Sequence, residues 1–212
     1  FHSYENLRYD YKNATFGKVG VNYEFNDNFD VVAEIRSTFN SYSGNDRGTT
    51  KSLLDPAFYS EYQNRNTKEH YFAMVNYNNK FMDGDIDLQA SIGGEIVNND
   101  YNSLSASTEG DLSIPEFYNL AGSTDPVSTT TDITKSKTRG AFIKASLGYK
   151  NTAYLDASYR ADWSSTAKPT DNKVTSYGIS GSYLLHKDLP QNDVLTFALA
   201  GGSIPELLTS EA

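Results

Sequence analysis

Few side chains in this sequence have the types and spacing that catalysis or metal binding requires. The three histidines, His2, His70 and His186, lie far apart along the chain. The carboxylates between Asp83 and Asp87 alternate as at the start of a calcium-binding loop, but no glutamate follows at the spacing of a bidentate calcium ligand. The sequence also lacks the serine-elbow, zinc-binding and phosphate-loop motifs. We therefore expect no enzymatic activity, no metal site and no cofactor.

Charged residues instead recur at every second position of segments that are otherwise apolar. In a β-strand this spacing puts the charges on one face and the aliphatic and aromatic side chains on the other. If such strands form the wall of a barrel in a bilayer, a lysine or arginine at mid-depth costs about 2–4 kcal/mol. The charged faces of the strands must therefore meet water, for example in the lumen of the barrel. The candidates for lining a water-filled lumen are Glu34, Arg36, Asp87, Gln89, Glu95, Lys144, Asp156, Arg160 and Asp162.

Tyrosine and asparagine are frequent in two long stretches, 44–68 and 98–138, which the pattern predicts to be external loops. These residue types suit sugar or peptide ligands through stacking and hydrogen bonds. Functional residues also concentrate on loops that a rigid scaffold holds. The alternative is ordinary loop solubility. The candidate ligand contacts in these loops are Tyr59, Tyr62, Tyr101, Phe117 and Tyr118.

The elements that must position these side chains are β-strands. In the first strong segment, for example, Val19 and Tyr23 share one face, whereas Lys18 and Asn22 share the other. Strands of about 8–13 residues exceed the soluble average of roughly 5–6 and suit the 9–11 that cross a bilayer at a tilt. Period-two alternation marks eight segments and a weaker ninth: 17–25, 30–41, 69–78, 85–97, 139–149, 154–163, 174–185, 194–201 and, as the ninth, 7–12.

The predicted connections between these strands alternate between short and long. The short ones are 26–29, 79–84, 150–153 and 186–193, the long ones are 44–68 and 98–138, and 164–173 is of medium length. Outer-membrane barrels have tight periplasmic turns and longer external loops. Aromatic residues cluster near the strand ends, as at a membrane–water interface, although aromatics favour strands generally. The sequence therefore predicts an all-β fold, a transmembrane antiparallel up-and-down β-barrel.

Composition argues against several other classes of protein. Lys and Arg number 18 against 27 Asp and Glu, and the resulting net charge of −9 argues against nucleic-acid binding. Cysteine is absent, which excludes disulfides and thiolate metal sites. No apolar run approaches the roughly 18 residues of a spanning helix, in agreement with a mean hydropathy of −0.57. Aromatics make up 13% of the chain, too many for a disordered segment.

Two stretches carry motifs with a recognisable order and spacing. The first contains Pro-Glu-Phe-Tyr-Asn-Leu, beginning at Pro115. The second contains Tyr-Lys-Asn-Thr-Ala-Tyr-Leu-Asp from Tyr149 and then Arg-Ala-Asp-Trp-Ser-Ser-Thr from Arg160. Together these motifs resemble the barrel region of SusC/RagA-type TonB-dependent outer-membrane transporters of Bacteroidetes.

The resemblance implies that residues 1–212 are part of an outer-membrane barrel domain, about 8–9 strands of a 22-stranded barrel. The plug domain and the TonB-contacting segment would lie outside this stretch. It implies import of glycans or peptides across the bacterial outer membrane, with a SusD-like surface lipoprotein as partner and TonB as the energy source. The barrel would contact the lipid bilayer and lipopolysaccharide, and the lumen candidates would contact the plug or the solute.

Three alternatives to this interpretation stay open at the level of the sequence. The chain departs from the family pattern at 174–178 and 204–208, which permits a barrel that serves as a structural or assembly scaffold. Eight strong strands could also close into a complete small barrel. A soluble β-sandwich or lectin would show the same alternation.

Overall fold

The described strands form one sheet in which they follow their order in the sequence. A computed structural model of the protein describes residues 7–49, 56–167, 172–184 and 196–203. The eight strands in these ranges are hydrogen-bonded to their sequence neighbours, in the order β1 to β8. They are β1 (Leu7–Asn26), β2 (Phe29–Gly48), β3 (Phe58–Phe81), β4 (Ile86–Leu112), β5 (Ser123–Tyr149), β6 (Ala153–Ser164), β7 (Lys173–Leu184) and β8 (Thr196–Ser203). The antiparallel all-β prediction is confirmed.

The chain divides into two compact units. Unit 1 comprises residues 1–17, 37–69 and 98–135, and unit 2 comprises 18–36, 70–97 and 136–212. Unit 1 therefore contains the connections between β2 and β3 and between β4 and β5, whereas unit 2 contains the short turns. Strands β6, β7 and β8 belong to unit 2 throughout.

In unit 2, the registers of β5, β6 and β7 align apolar residues into rows across the sheet. Ile143 lies opposite Tyr159, which in turn lies opposite Tyr177. The next rows towards the β5–β6 turn are Ala145–Ala157–Ile179 and Leu147–Leu155–Gly181. We call the face that carries these rows the apolar face. The opposite one, the polar face, carries the even-numbered residues of β1–β3 and β5–β7 and the odd-numbered residues of β4. The period-two prediction is thus correct for these strands.

The described residues bury very little apolar surface. The buried hydrophobic residues among them are Ala57, Tyr59, Leu112 and Ala161. A soluble sandwich would cover its apolar face with a second sheet, but every described strand belongs to the same sheet. The described strands therefore do not form a sandwich.

The two edges of the described sheet exclude a complete small barrel. In a closed eight-stranded barrel the first strand would pair with the last, because closure removes both edges. Here β1 pairs with β2 alone and β8 with β7 alone. The weak ninth segment, 7–12, also proves to be the beginning of β1 rather than a strand of its own. None of the helices in the described ranges has the length and apolarity to cross a membrane.

Strands extend far into the segments 44–68 and 98–138, which the sequence predicted to be loops. β3, β4 and β5 have 24, 27 and 27 residues, well beyond the predicted lengths. Tyr59, Tyr62 and Tyr101 are therefore strand residues, and their assignment to external loops was wrong. Polar residues on both faces remove the apolar alternation that marks a strand, whereas the backbone hydrogen bonds between strands do not depend on it.

The short connections of unit 2 are tight turns with specific backbone geometry. Between β1 and β2, the side chain of Asn26 accepts hydrogen bonds from the backbone N–H groups of Asn28 and Phe29, at 2.9 and 3.0 Å. Between β5 and β6, Lys150 and Asn151 both have a φ of 50°. This pair of positive φ values is that of a type I′ turn, whose twist matches that of an antiparallel hairpin.

The β5–β6 turn leads to a prediction about stability. Asn151→Val is expected to lower the free energy of unfolding by about 1–2 kcal/mol, because a β-branched residue is disfavoured at positive φ. Asn151→Gly is expected to leave it unchanged or to raise it, since glycine adopts this conformation freely. Guanidinium titration measures the stability of both variants. Equal stabilities for the two variants would contradict the turn geometry.

Candidate functional site

The polar face of unit 2 carries a network of ion pairs that joins three strands. Glu95 on β4 interacts with His70 on β3 and with Arg160 on β6. The Glu95 Oε2 lies 2.7 Å from the His70 Nε2, and the Glu95 Oε1 accepts a hydrogen bond from the Arg160 guanidinium. All three side chains are partly exposed, so water screens the charges. The network therefore positions these side chains more than it stabilises the fold.

Arg160 also binds Asp162, and a glycine makes the room for both contacts. The Arg160 Nε and one terminal nitrogen each donate to an Asp162 oxygen at 2.7 Å, a bidentate arrangement. To reach Glu95, the Arg160 side chain must pass over β5, where Gly140 lies. A Cβ at Gly140 would lie 2.7 Å from the Arg160 guanidinium and 2.7 Å from the Asp162 carboxylate. The lack of a side chain at Gly140 thus permits the network.

A second glycine on the polar face permits an aromatic contact of the same kind. Phe72 on β3 and Phe142 on β5 stack with ring centroids 6.1 Å apart and an interplanar angle of 18°. The strand between them, β4, carries Gly93. A Cβ at Gly93 would lie 2.7 Å from the Phe142 Cζ and 2.7 Å from the backbone oxygen of Ala73. The two rings can therefore meet across β4 because Gly93 has no side chain.

Glu34 lies in a separate ion cluster at the start of the sheet. The Lys18 Nζ on β1 is 2.7 Å from the Glu34 Oε1 on β2, and Arg36 donates to the other Glu34 oxygen. Glu34 and Arg36 were both lumen candidates, and the structure brings them together. Because both cations bind the same carboxylate, this cluster has one net positive charge.

The lumen candidates Gln89, Lys144 and Asp156 line an open groove on the polar face of unit 2. Its polar lining also includes the hydroxyl groups of Ser91, Ser158 and Ser180. The Ser180 hydroxyl donates to Asp156 at 3.4 Å. The last candidate, Asp87, lies in a neighbouring hollow that Gln89 also lines. The groove offers an amide, hydroxyls and charges of both signs, which suits a polar solute that both donates and accepts hydrogen bonds.

The nine lumen candidates thus share one face of unit 2 but do not form one site. Glu95, Arg160 and Asp162 form one cluster, Glu34 and Arg36 another, and the groove residues a third. Sequence analysis missed His70, which lies 25 residues from Glu95. The sequence could have indicated His70 by its even-numbered position on β3, because this position puts the side chain on the polar face.

Unit 1 contains a cluster of tyrosines and charges at Tyr42 and Tyr62. The Arg8 guanidinium donates to Asp10 at 3.1 Å and to the Tyr42 hydroxyl at 3.2 Å, and it lies 5.4 Å from the centre of the Tyr62 ring. The Tyr62 hydroxyl donates to Asp10, which holds the pKa of that carboxyl below its usual range. Burial and the Asp10 carboxylate together raise the pKa of Tyr62.

The other aromatic candidates of unit 1 take part in separate contacts. The Tyr59 hydroxyl donates to Glu61 at 2.7 Å, and burial together with this carboxylate raises the pKa of Tyr59 to about 12. Tyr118, in the β4–β5 connection, lies under the Arg47 guanidinium at 4.9 Å. Phe117 is about half exposed in the same connection, and Tyr101 is partly exposed on β4.

The described residues show none of the arrangements that metal binding requires. No group of three or more potential ligands lies close enough together in these ranges. The carboxylates near Asp83 belong to the β3–β4 turn, in which Asp85 lies 3.6 Å from Lys150. His2 and His186 lie outside the described residues.

Comparison with known proteins finds likeness in structure and none in sequence. No protein-family model matches the chain, and no curated protein matches it. The structure of the RagAB peptide transporter matches 94% of this chain with a TM-score of 0.83 and 14% sequence identity. Structures of the RagAB peptide importer in its closed-closed and open-open states match with TM-scores of 0.84 and 0.85, also at 14% identity.

In each case this chain spans 23% of the length of the matched chain. The matched structures are transporters by name, and the likeness extends over nearly all of the present chain. At this level of identity, it concerns the fold. The chain therefore has the fold of part of the matched RagAB transporter structures, in agreement with the resemblance carried by the motifs that begin at Pro115, Tyr149 and Arg160.

Proposed function

We propose that this chain is part of an outer-membrane uptake system, a SusC-like TonB-dependent transporter that imports peptides or glycans. Residues 1–212 supply part of the wall of its barrel, and other parts of the protein supply the plug domain and the TonB-contacting segment. The chain itself catalyses no reaction. One observation carries the proposal: an exposed apolar face and a charged polar face lie on opposite sides of the same strands.

The apolar face suits the hydrocarbon of a bilayer. Ile143, Leu155 and Ile179 are 50%, 51% and 58% exposed. Removing apolar surface from water stabilises the folded protein by roughly 25 cal/mol per Å². A bilayer can cover the apolar face and supply this stabilisation without a second sheet. Strands β2 to β7 each pair with a neighbour on both sides, which provides the backbone hydrogen bonds that a bilayer requires. This combination favours the bacterial outer membrane as the location.

The polar face suits the wet side of such a wall. Glu95 and Asp162 both bind Arg160, so we assign these three residues to the lining that borders the lumen or the plug. The groove at Gln89, Lys144 and Asp156 offers polar groups that a passing solute can use. The aromatic candidates of unit 1 remain proposed ligand contacts.

A peptide is the first solute to test, because the matched structures are described as a peptide transporter and importer. Peptide main chains carry donors and acceptors at regular spacing, which amide and hydroxyl side chains can bind. A surface lipoprotein of the SusD type is the proposed partner of the complete transporter.

The proposal is tested with a strain that lacks the complete gene. We expect this strain to lose growth on defined peptides, or on one class of glycan, as the sole nutrient and to keep growth on nutrients that enter through general porins. The full-length gene is expected to restore growth, and a surface lipoprotein should purify with the tagged full-length protein. Loss of growth on every nutrient would overturn transport in favour of a scaffold, and unchanged growth on all peptides and glycans would overturn both.

A further inference from the structure

One end of the apolar face of unit 2 carries two basic residues that flank a tryptophan. Arg139 on β5 lies directly opposite Trp163 on β6, and Trp163 lies directly opposite Lys173 on β7. The Lys173 ammonium is 5.6 Å from the centre of the Trp163 ring. Lys137 lies two residues before Arg139 on the same face of β5, where its backbone pairs with Ser165. These residues, Lys137, Arg139, Trp163 and Lys173, are called the basic row.

The charges of the basic row are available for binding. Lys137, Arg139 and Lys173 are all exposed, whereas Trp163 is partly buried. None of the ion pairs within the described residues includes any of these three cations. The chain as a whole has a net charge of −9. Three positive charges without an ion-pair partner at one end of the apolar face are therefore unusual for it.

The basic row also marks the end of the apolar face. The next row towards the β5–β6 turn is Ala141–Ala161–Thr175. From this row to Tyr149, beside the turn, no residue on the apolar face of these strands is charged. The eleven residues from Arg139 to Tyr149 span about 33 Å along the strand, ten steps of about 3.3 Å. At the usual tilt of 35–45°, this length covers an apolar band of about 25 Å. The basic row thus lies where such a band ends.

The direction of the strands tells which side of the membrane this end faces. In outer-membrane barrels the short turns lie on the periplasmic side. The β5–β6 turn at Lys150 and Asn151 is short, and the basic row lies at the ends of β6 and β7 that are farther from this turn. On the proposed function, on which this inference rests, the basic row therefore meets the outer surface of the bilayer.

We propose that the basic row binds the phosphate groups of the glycolipid in the outer leaflet. Arg139 and Lys173 lie two strands apart, about 10 Å at the usual spacing, and both point towards the lipid side of the wall. An arginine binds phosphate oxygens through its planar fork of donors, and a lysine acts as a point charge. Trp163 between them has the amphipathic ring that favours the boundary between hydrocarbon and headgroups.

The test measures glycolipid binding by the full-length protein in a non-ionic detergent, with native mass spectrometry as the readout. The probes are purified lipid A, lipid A after enzymatic removal of its phosphates, and inorganic phosphate. We expect Arg139→Gln and Lys173→Gln to weaken lipid A binding by about fivefold each, the effect of one basic residue near an anionic lipid surface. The double variant is expected to bind lipid A more weakly than either single variant, because it lacks both positive charges.

Lys150→Gln is the matched control, because Lys150 also lies over an aromatic ring, that of Tyr149 at 5.4 Å, but at the opposite end of the apolar face. It should bind lipid A as the wild type does. Dephosphorylated lipid should bind equally to the wild type and the double variant, and inorganic phosphate should not compete at equimolar concentration. Unchanged lipid A binding by the double variant, equal weakening by Lys150→Gln, or full competition by inorganic phosphate would each overturn the inference.

A separate observation distinguishes this inference from the proposed function. If the full-length protein needs detergent or lipid to stay in solution, but the double variant binds lipid A unchanged, then the basic row is not a glycolipid site and the barrel proposal stands. If the full-length protein is a stable monomer in buffer without detergent, then the membrane proposal fails, and the inference fails with it.

Discussion

Ile143→Arg is expected to lower the stability of the folded protein in a bilayer by about 2–4 kcal/mol, the cost of an arginine near mid-depth on the lipid face of a barrel. Ile143 is 50% exposed, so the sheet itself has room for the longer side chain. Its row lies between the basic row and the β5–β6 turn, well inside the apolar face. The penalty therefore arises from the lipid rather than from packing. In a soluble protein the same substitution at an exposed position would cost within about 0.5 kcal/mol.

Ser146→Arg is the matched control, because Ser146 lies on the polar face of the same strand and directly opposite Asp156. An arginine there would meet water and a carboxylate, so we expect its effect to stay within about 0.5 kcal/mol. Guanidinium titration of the full-length protein in lipid vesicles measures both variants, with tryptophan fluorescence as the readout. Equal effects of the two substitutions would show that the two faces do not differ in environment, and the barrel proposal would fail.

The sequence predicts the two faces of the sheet well because the period of a strand depends on its backbone alone. Side chains at alternate positions of an extended chain point to opposite sides whatever their neighbours are. Ile143, Leu155 and Ile179 could therefore be assigned to one face from their spacing, and the structure has all three exposed on that face. Phe197, assigned in the same way, lies outside the residues whose side chains are described.

The lengths of the strands were not predictable from the same pattern. In unit 1, β3 carries Glu61, Gln63 and Arg65 on one face and Tyr62 and Asn64 on the other, so neither face is apolar. Apolar and polar residues alternate along a strand only where one of its faces meets water and the other an apolar environment. The alternation is absent where both faces are polar. Extended pairing continues there because the backbone groups still find their partners on neighbouring strands.

The contacts across intervening strands were also beyond sequence reasoning. His70 and Glu95 lie on adjacent strands, and Arg160 reaches Glu95 over a third. Such contacts depend on the register of each pair of strands, and a shift by one residue would move every side chain to the other face. The signal in the sequence was the glycines at 93 and 140, which look like breaks in a strand pattern and are in fact the positions over which large side chains pass.

Gly93→Ala is expected to lower the free energy of unfolding of the full-length protein by about 2 kcal/mol, within the range for an overpacked site. The added Cβ would lie 2.7 Å from the backbone oxygen of Ala73 and 2.7 Å from the Phe142 Cζ. The Phe142 ring can move away, but the Ala73 oxygen belongs to the neighbouring strand and moves only with β3. The substitution should therefore both weaken the Phe72–Phe142 stack and strain the β3–β4 pairing.

Gly17→Ala is the control, since Gly17 is also a strand glycine but has no atom within 4 Å of the position of an added Cβ. Alanine there should be neutral or stabilise the protein by up to about 1 kcal/mol, because it restricts the unfolded chain more than glycine does. Adding Phe142→Leu to Gly93→Ala removes the ring atom that clashes and should recover part of the loss. Guanidinium titration in detergent micelles measures all three variants. Equal stabilities of Gly93→Ala and Gly17→Ala would mean that Phe142 does not lie over β4, and the close approach at Gly93 would be wrong.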